Sequence, residues 1–376
     1  MTQVPFYDLG SIIRSESAEL HACLDEALEG GYFVGGPLTT RFESEFAGFV
    51  GAGFAIGVAN GLDAIRLALE AYGIGPGDEV IVPAFTYYAT WLGVTQTGAT
   101  PVPVDAVEST ANIDPAGLEA AITNRTKAII AVHLYGQAAD LAAVTRVAAE
   151  HGLIVIEDAA QSHGAVSNAG MTGSVGHAAA FSFYPTKNLG ALGDSGAVTT
   201  SDPEIADRIR SRRSYGQGAS KYDHVDTGWN SRLDPLQAAF LSLHLRKLSG
   251  WTERRREIAQ TYLDALGERG TAVVGPDDVQ GSVWHHFVLK ATNRVALQAY
   301  LTHSDVSSDA HYPYAVHELA PMRAVLNEAT RAQSFPVAEQ LAQQVTSLPM
   351  GPWMSNEQVA QVASALKNAP KNLLFL

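Results

Sequence analysis

The sequence predicts an α/β protein with a mostly parallel sheet, on three observations. β-rich runs alternate with helical spacing from about residue 41, turn signals punctuate that alternation, and the 376-residue chain is long enough to bury a sizeable core. Helical spacing covers 41–50 and 62–72, a short strand at 55–58 separates them, and Gly73-Ile74-Gly75-Pro76-Gly77-Asp78 ends the second helix. Glu79–Pro83 and 126–133 follow as strands, 138–151 as a helix, and 153–157, 179–183 and Gly196–Thr200 as further strands. Gly190-Ala191-Leu192-Gly193-Asp194 turns the chain before the last of these. Such an order gives a sheet covered on both faces, with ligands at the carboxyl ends of its strands. Neither glycine cluster is a dinucleotide fingerprint, which requires a strand before it and a helix opening after it.

After Pro235 a long helical pattern runs through Gln237, Leu241, Leu245 and Leu248 to Trp251 and beyond. A boundary is placed near residue 250, inside that helix, between a large domain over 1–250 and a smaller α+β domain over 251–376.

Hydrophobic residues make up 46% of the chain and charged residues 17%, with 34 glycines, which is the balance of a globular enzyme rather than a disordered or fibrous chain. The formal charge of −14, from 39 acidic against 25 basic residues, repels a phosphate-rich polymer, so nucleic acid is excluded as an expected partner. A phosphorylated small molecule is not excluded, because helix N-termini bind anions locally. The one cysteine, Cys23, has no disulfide partner within the chain, and Met1-Thr2-Gln3-Val4-Pro5 does not read as a signal peptide, so the expected location is the cytoplasm. The sequon Asn124-Arg125-Thr126 is accordingly read as chance. No apolar run approaches the roughly 18 to 20 residues of a spanning helix, and no membrane role is expected.

Three places carry chemistry. In Phe181-Ser182-Phe183-Tyr184-Pro185-Thr186-Lys187-Asn188-Leu189-Gly190 a single lysine lies just beyond an apolar strand. Burial there lowers the pKa of Lys187 and frees its amine to form a Schiff base, although a loop lysine taken alone is ordinarily solvated. Upstream, the run 153–156 ends in Glu157-Asp158-Ala159-Ala160-Gln161. Asp158 is placed to keep the ring nitrogen of a pyridine-type electron sink protonated, and its alternative, a helix cap, gives way once the lysine is considered with it. Third, Asn60-Gly61-Leu62-Asp63-Ala64 follows a strand and opens a helix, where backbone N–H groups hold a phosphate or Asn60 or Asp63 merely caps. Ser182 could add a hydroxyl to that phosphate and Tyr87 an aromatic face to the ring.

Together Gly61-Leu62-Asp63-Ala64, Gly77-Asp78-Glu79-Val80-Ile81-Val82-Pro83, Glu157-Asp158-Ala159-Ala160-Gln161-Ser162-His163-Gly164, Ser182-Phe183-Tyr184-Pro185-Thr186-Lys187-Asn188-Leu189-Gly190 and Gly228-Trp229-Asn230-Ser231-Arg232-Leu233-Asp234 resemble the DegT/StrS sugar aminotransferase family, in order and over nearly the whole chain. The resemblance implies a fold-type-I transferase whose large domain binds pyridoxal 5′-phosphate, with pyridoxamine 5′-phosphate as the intermediate form. It also implies a homodimer with shared active sites. Lys187 would bond to the cofactor and shuttle the proton, Asp158 would pair with the ring nitrogen and Gln161 with the ring oxygen. Tyr87 would cover a ring face, Gly61, Leu62 and Ser182 would hold the phosphate, and Asn230 would reach it from the neighbouring subunit. L-glutamate is the implied donor and a nucleotide-linked keto sugar the acceptor. Leu62 stands where many members have threonine, so that contact would be backbone only. The Gly-Leu-Asp version resembles the branch that aminates dTDP-linked 3-keto-6-deoxy sugars, with 4-keto amination as the alternative. His311-Tyr312-Pro313 matches a segment near the sugar, or is a structural strand end, and Tyr184 and His163 complete the candidate substrate contacts.

No metal is expected. His285 and His286 are adjacent and would point to opposite faces of a strand, while His163, His224 and His311 lack partners at ligand spacing. His163 reads more readily as a hydrogen-bonded residue packed near the cofactor. Competing readings are a sugar dehydratase, which would resemble this chain but carry histidine in place of Lys187, and a pyridoxal-phosphate-binding regulator without turnover, against which the full lysine, aspartate and glutamine set argues. A fold-type-I enzyme confined to amino acids would lack the 230–234 segment and the Gly35-Gly36-Pro37 stretch.

Overall fold

The structure, a computed structural model, describes residues 3–220, 222–276 and 279–374. Its main sheet comprises β1 (Phe54–Val58), β2 (Glu79–Pro83), β3 (Thr100–Val104), β4 (Thr126–Val132) and β5 (Ile154–Asp158), then, after the small β6 (Val166–Ser167) and β7 (Gly170–Met171) hairpin, β8 (Ala178–Ser182) and β9 (Gly196–Thr200). The spatial order is β1-β9-β8-β5-β4-β2-β3. Pairing is parallel from β8 across to β3, and β9 runs against both of its neighbours. The expected α/β fold with a mostly parallel sheet is therefore observed, with the strands read from sequence displaced by no more than a residue at either end.

Side chains of the central strands alternate between two cores. Val80, Val82, Ala128, Ile130, Val132 and Ile156 pack with the helix Gly61–Ala71, while Ile81, Ile129, Ala131 and Val155 pack with Val144, Val147 and Ala148 of the helix Leu141–His151. Burial on both faces explains why these strands read as continuous apolar runs. β3 was not legible in this way, because Pro101 and Pro103 interrupt it. It forms the edge of the sheet: Thr100 N–H donates to Asp78 and the Val104 carbonyl accepts from Ala84, so both prolines lie on the outer, unpaired side.

The helix Pro235–Leu266 runs unbroken through residue 250. Its first half contributes Ala238, Leu241 and Leu248 to a core beside β8 and β9. Its second half, through Ile258, Ala259, Tyr262 and Leu266, joins a separate core around an antiparallel sheet of β10 (Val273–Val274), β11 (Phe287–Lys290) and β12 (Val345–Leu348). Among the described residues, no helix is long and apolar enough to cross a membrane.

Glu157, fully buried, ties the loop before β8 to the sheet. Its carboxylate accepts N–H groups from Gly173 at 2.7 Å, Val175 at 2.9 Å and Gly176 at 2.7 Å, and His133 Nε2 lies 2.9 Å away. His133 Nδ1 accepts from Ala139 N–H, which turns the Nε2 hydrogen toward Glu157. Burial alone would push the Glu157 pKa up; the His133 bond and the backbone donors outweigh it and hold the carboxyl below its ordinary value. Glu157→Ala strands these buried donors and is expected to cost about 3 kcal/mol or more in chemical denaturation. Because the folded-state pKa is depressed, the contribution of Glu157 is present above the unfolded value of 4.5 and is lost as pH falls through the folded one, so the gap between wild type and variant should narrow in acid.

Candidate active site

The carboxyl ends of the parallel strands converge on one rim. β5 ends at Asp158, β8 at Ser182, and β1 leads through Asn60 into the helix Gly61–Ala71. Lys187 lies in the loop after β8, where its N–H donates to the Tyr184 carbonyl and Ala191 N–H returns to Phe183. The flanking residues are fastened from outside the loop: Tyr7 Oη donates to the Thr186 carbonyl at 2.5 Å, and Asn188 Nδ2 donates to the Val283 carbonyl at 2.9 Å. Lys187 is half-buried as a whole, yet burial of its amine brings the pKa down to about 8, with the Asp158 charge opposing the fall.

Asp158 is buried, and burial raises its pKa; Thr90, Ala160 N–H and Lys187 partly offset this. Thr90 Oγ1 donates to Oδ2 at 2.8 Å, and Ala160 N–H approaches Oδ1 at 3.3 Å. Gln161 accepts Tyr135 N–H at 2.7 Å and donates to Tyr312 Oη at 2.9 Å. Tyr312 is tilted against Tyr87 with ring centroids 5.3 Å apart, and Tyr87 is 55% exposed at the start of the helix Tyr88–Gln96. The structure thus gathers Lys187, Asp158, Gln161, Tyr87 and Tyr312.

At the rim nearest β1, Asn60 caps the helix by accepting Asp63 N–H at 2.8 Å, which leaves the N–H groups of Gly61 and Leu62 ahead of any intrahelical acceptor. A Cβ on Gly61 would lie 2.7 Å from the Ser182 Cβ, and one on Gly196 would lie 2.5 Å from the Asn60 backbone. Only glycine permits this approach, which brings the helix end and the Ser182 hydroxyl to one point. Asn230 lies on an exposed loop, bridged to Ser214.

His163 is fully buried between Phe181 and Phe183, at 5.5 and 5.6 Å between ring centroids. Among the described residues neither of its ring nitrogens has a hydrogen-bond partner, contrary to the bonded core residue expected from sequence, and the Ser182 backbone is its nearest polar influence. Burial lowers its pKa to about 3 and keeps it neutral. Tyr184 is 52% exposed beside the lysine loop. His311 is half-buried, with Nδ1 3.0 Å from Ser347 Oγ and a pKa that burial brings down to about 4.

The geometry expected for His285 and His286 is wrong. Both precede β11, and Trp284 at φ 46 turns the chain, so the two rings lie side by side with centroids 4.1 Å apart and His286 stacks on His311 at 4.0 Å. Burial lowers the pKa of each well below the ordinary histidine value. Among the described residues, no group of three or more His, Cys, Asp or Glu could hold a metal ion. Sequence reading passed over Thr90, Tyr135, Asn188 and Tyr7; a threonine pair four apart at a helix start, Thr86 and Thr90, was the visible signal for the first.

The family model described as the DegT/DnrJ/EryC1/StrS aminotransferase family matches residues 14–367. The chain belongs to this family. It is 45% identical to a dTDP-3-amino-3,4,6-trideoxy-alpha-D-glucose transaminase of Streptomyces venezuelae, over 97% of this chain and 96% of that one. It is 46% identical to the erythromycin biosynthesis sensory transduction protein EryC1 of Saccharopolyspora erythraea, over 97% and 99%. The crystal structure of S. venezuelae DesV in complex with a ketimine intermediate superposes with a TM-score of 0.92 at 43% identity, covering 98% of each chain. This aminotransferase uses pyridoxal 5′-phosphate, and its residues fit that group. Asp158 is a buried carboxylate with no cationic nitrogen at ion-pair distance among the described residues, the Gly61 cradle would be filled by any side chain, and Lys187 has its pKa lowered by burial. Gly61→Ala is expected to push the helix away from Ser182 and weaken binding of pyridoxal 5′-phosphate by about tenfold or more, read by titrating cofactor absorbance.

Proposed function

We propose that this aminotransferase moves an amino group from L-glutamate to the carbon-3 keto group of a dTDP-linked 6-deoxyhexose, in the cytoplasm, as a homodimer with shared active sites. One observation carries the catalytic part: a lysine amine whose pKa burial brings down to about 8 and a carboxylate whose pKa burial raises lie close enough for each charge to act on the other, one in the loop after β8 and one at the end of the adjacent parallel strand β5. The S. venezuelae relative, named for a 3-amino dTDP sugar, supports amination at carbon 3 over carbon 4. The regulatory name of the EryC1 relative matches the competing non-catalytic reading, but a sensor has no need of a desolvated lysine opposite a buried aspartate.

When bound, pyridoxal 5′-phosphate supplies an aldehyde for condensation and a ring that spreads negative charge from the reacting carbon. Lys187 Nζ would bond to the aldehyde and, once displaced by the donor amine, would serve as the base that takes the proton from the donor α-carbon and as the acid that returns a proton to the sugar carbon. A pKa of about 8 suits both directions, since base and acid forms coexist near neutrality. Asp158 would hold the ring-nitrogen proton, and Gln161, with one Nε2 hydrogen committed to Tyr312, would offer the other to the ring oxygen. Tyr87 covers a ring face. The N–H groups of Gly61 and Leu62 and the hydroxyl of Ser182 take the phosphate, which Asn230 reaches in a second copy. Tyr184, His311 and Tyr312 border the sugar, and His163 packs beside the ring. The division into 1–250 and 251–376, within the Pro235–Leu266 helix, belongs to the same proposal.

The test is spectroscopic. The visible band of the holoprotein should fade with L-glutamate and return with a dTDP-3-keto-6-deoxyhexose. Return with only a 4-keto sugar would move the reaction to carbon 4, and no band with added cofactor would sink the enzyme reading. Lys187→Ala is expected to lower turnover at least about a thousandfold in steady-state assays.

A further inference from the structure

Asp158 accounts for only part of how this fold presents a carboxylate to a ring nitrogen. A buried carboxylate has two oxygens and can rotate between them. Here Oδ2 is occupied by the Thr90 hydroxyl at 2.8 Å, whereas among the described residues Oδ1 has only the long 3.3 Å contact from Ala160 N–H. Thr90 is fully buried in the first turn of the helix Tyr88–Gln96, and Thr86 Oγ1 lies 2.9 Å from its oxygen. Because the single hydroxyl proton of Thr90 goes to Asp158, the Thr86 hydroxyl must be the donor to Thr90. Two hydroxyl dipoles thus line up toward one carboxylate oxygen.

We infer that Thr90 is a positioning residue for the cofactor, pinning Asp158 through Oδ2 so that Oδ1 remains to accept the ring N–H. This rests on the proposed pairing of Asp158 with the ring nitrogen. Charge favours it as well: burial pushes the carboxyl toward its protonated form, and the Thr90 bond is the strongest influence acting against it. A hydroxyl donor stabilises the ionised carboxylate more than the protonated acid, and the ionised form is the one that keeps a pyridine nitrogen protonated. The same helix start carries Tyr87, so one short segment supplies both the ring face and the restraint on the ring nitrogen partner.

The consequence is largest for pyridoxamine 5′-phosphate, which has no covalent bond to Lys187 and is retained by such contacts alone. Two quantities are read on the full-length protein: the dissociation constant of added pyridoxamine 5′-phosphate, and the pH midpoint of the visible band in the holoprotein. Thr90→Val, which keeps the shape and removes the hydroxyl, should weaken pyridoxamine 5′-phosphate about tenfold. It should also move the midpoint up by about one pH unit, because a ring nitrogen no longer held protonated withdraws fewer electrons from the lysine-bound nitrogen. Thr90→Ser should restore both values. Should Thr90→Val not fold, Thr86→Val, which removes the second donor, should shift both quantities in the same direction by a smaller amount. Wild-type values in the valine variants, or a serine variant as impaired as the valine one, would overturn the inference. Asp158→Asn separates this from the parent reading: if Asp158→Asn moves the midpoint and Thr90→Val does not, only the role of Thr90 fails. If neither moves it, the pairing of Asp158 with the ring fails and takes the Thr90 role with it.

Discussion

Two ionisable groups, Lys187 and Asp158, are held out of water at the same rim of the sheet, and much of the surrounding structure serves to keep them there. Desolvation drives each toward its neutral form, while each charge favours the ionised form of the other. The result is a lysine poised near neutrality and a carboxylate dependent on every donor it receives. Parallel strands make this possible, because β5 and β8 are neighbours, with Asp158 opposite Ala180 and β8 ending at Ser182 just beyond it. Asp158 is the last residue of one, and the lysine loop follows the other.

The enclosure is built from distant parts of the chain. The N-terminal segment crosses the site, with Val4 bridged to Val306, Phe6 stacked on His311 at 5.5 Å and Tyr7 stacked on Trp353 at 5.1 Å. Tyr135, held at φ 60, joins three elements at once: its N–H goes to Gln161, its carbonyl accepts from His285, and its hydroxyl donates to the His311 carbonyl. A non-glycine residue in that conformation costs about 1–3 kcal/mol and persists where its surroundings over-determine it. Removing it would loosen the contact between the β4 end, the Gln161 turn and the C-terminal segment.

What was legible in the sequence was whatever depends on local pattern. Lys187, Asp158 and Gly61 each stand where an apolar run stops, so strand ends and site coincide. The helices Leu9–Ser15 and Ser17–Gly30 were missed because the first buries none of its residues and the second only Leu20 and Ala27, too few for an apolar stripe. Thr90 was missed for a different reason: its role exists only once the start of one helix meets the end of a strand far along the chain. The histidine pair was misread because Trp284, not the strand period, sets the direction of the chain there. Long-range contact and backbone conformation at single residues leave little trace in one sequence.

The two prolines of β3 have a consequence for solubility and assembly. On the open side of that strand Pro101 and Pro103 offer carbonyls but no N–H donors, so an extended peptide cannot complete a ladder against it. Growth of the sheet from one molecule into the next is blocked at this border by composition alone. Association between copies is therefore steered away from backbone pairing there and toward side-chain surfaces, such as the one where Tyr32, Phe33 and Val34 stand more than half exposed.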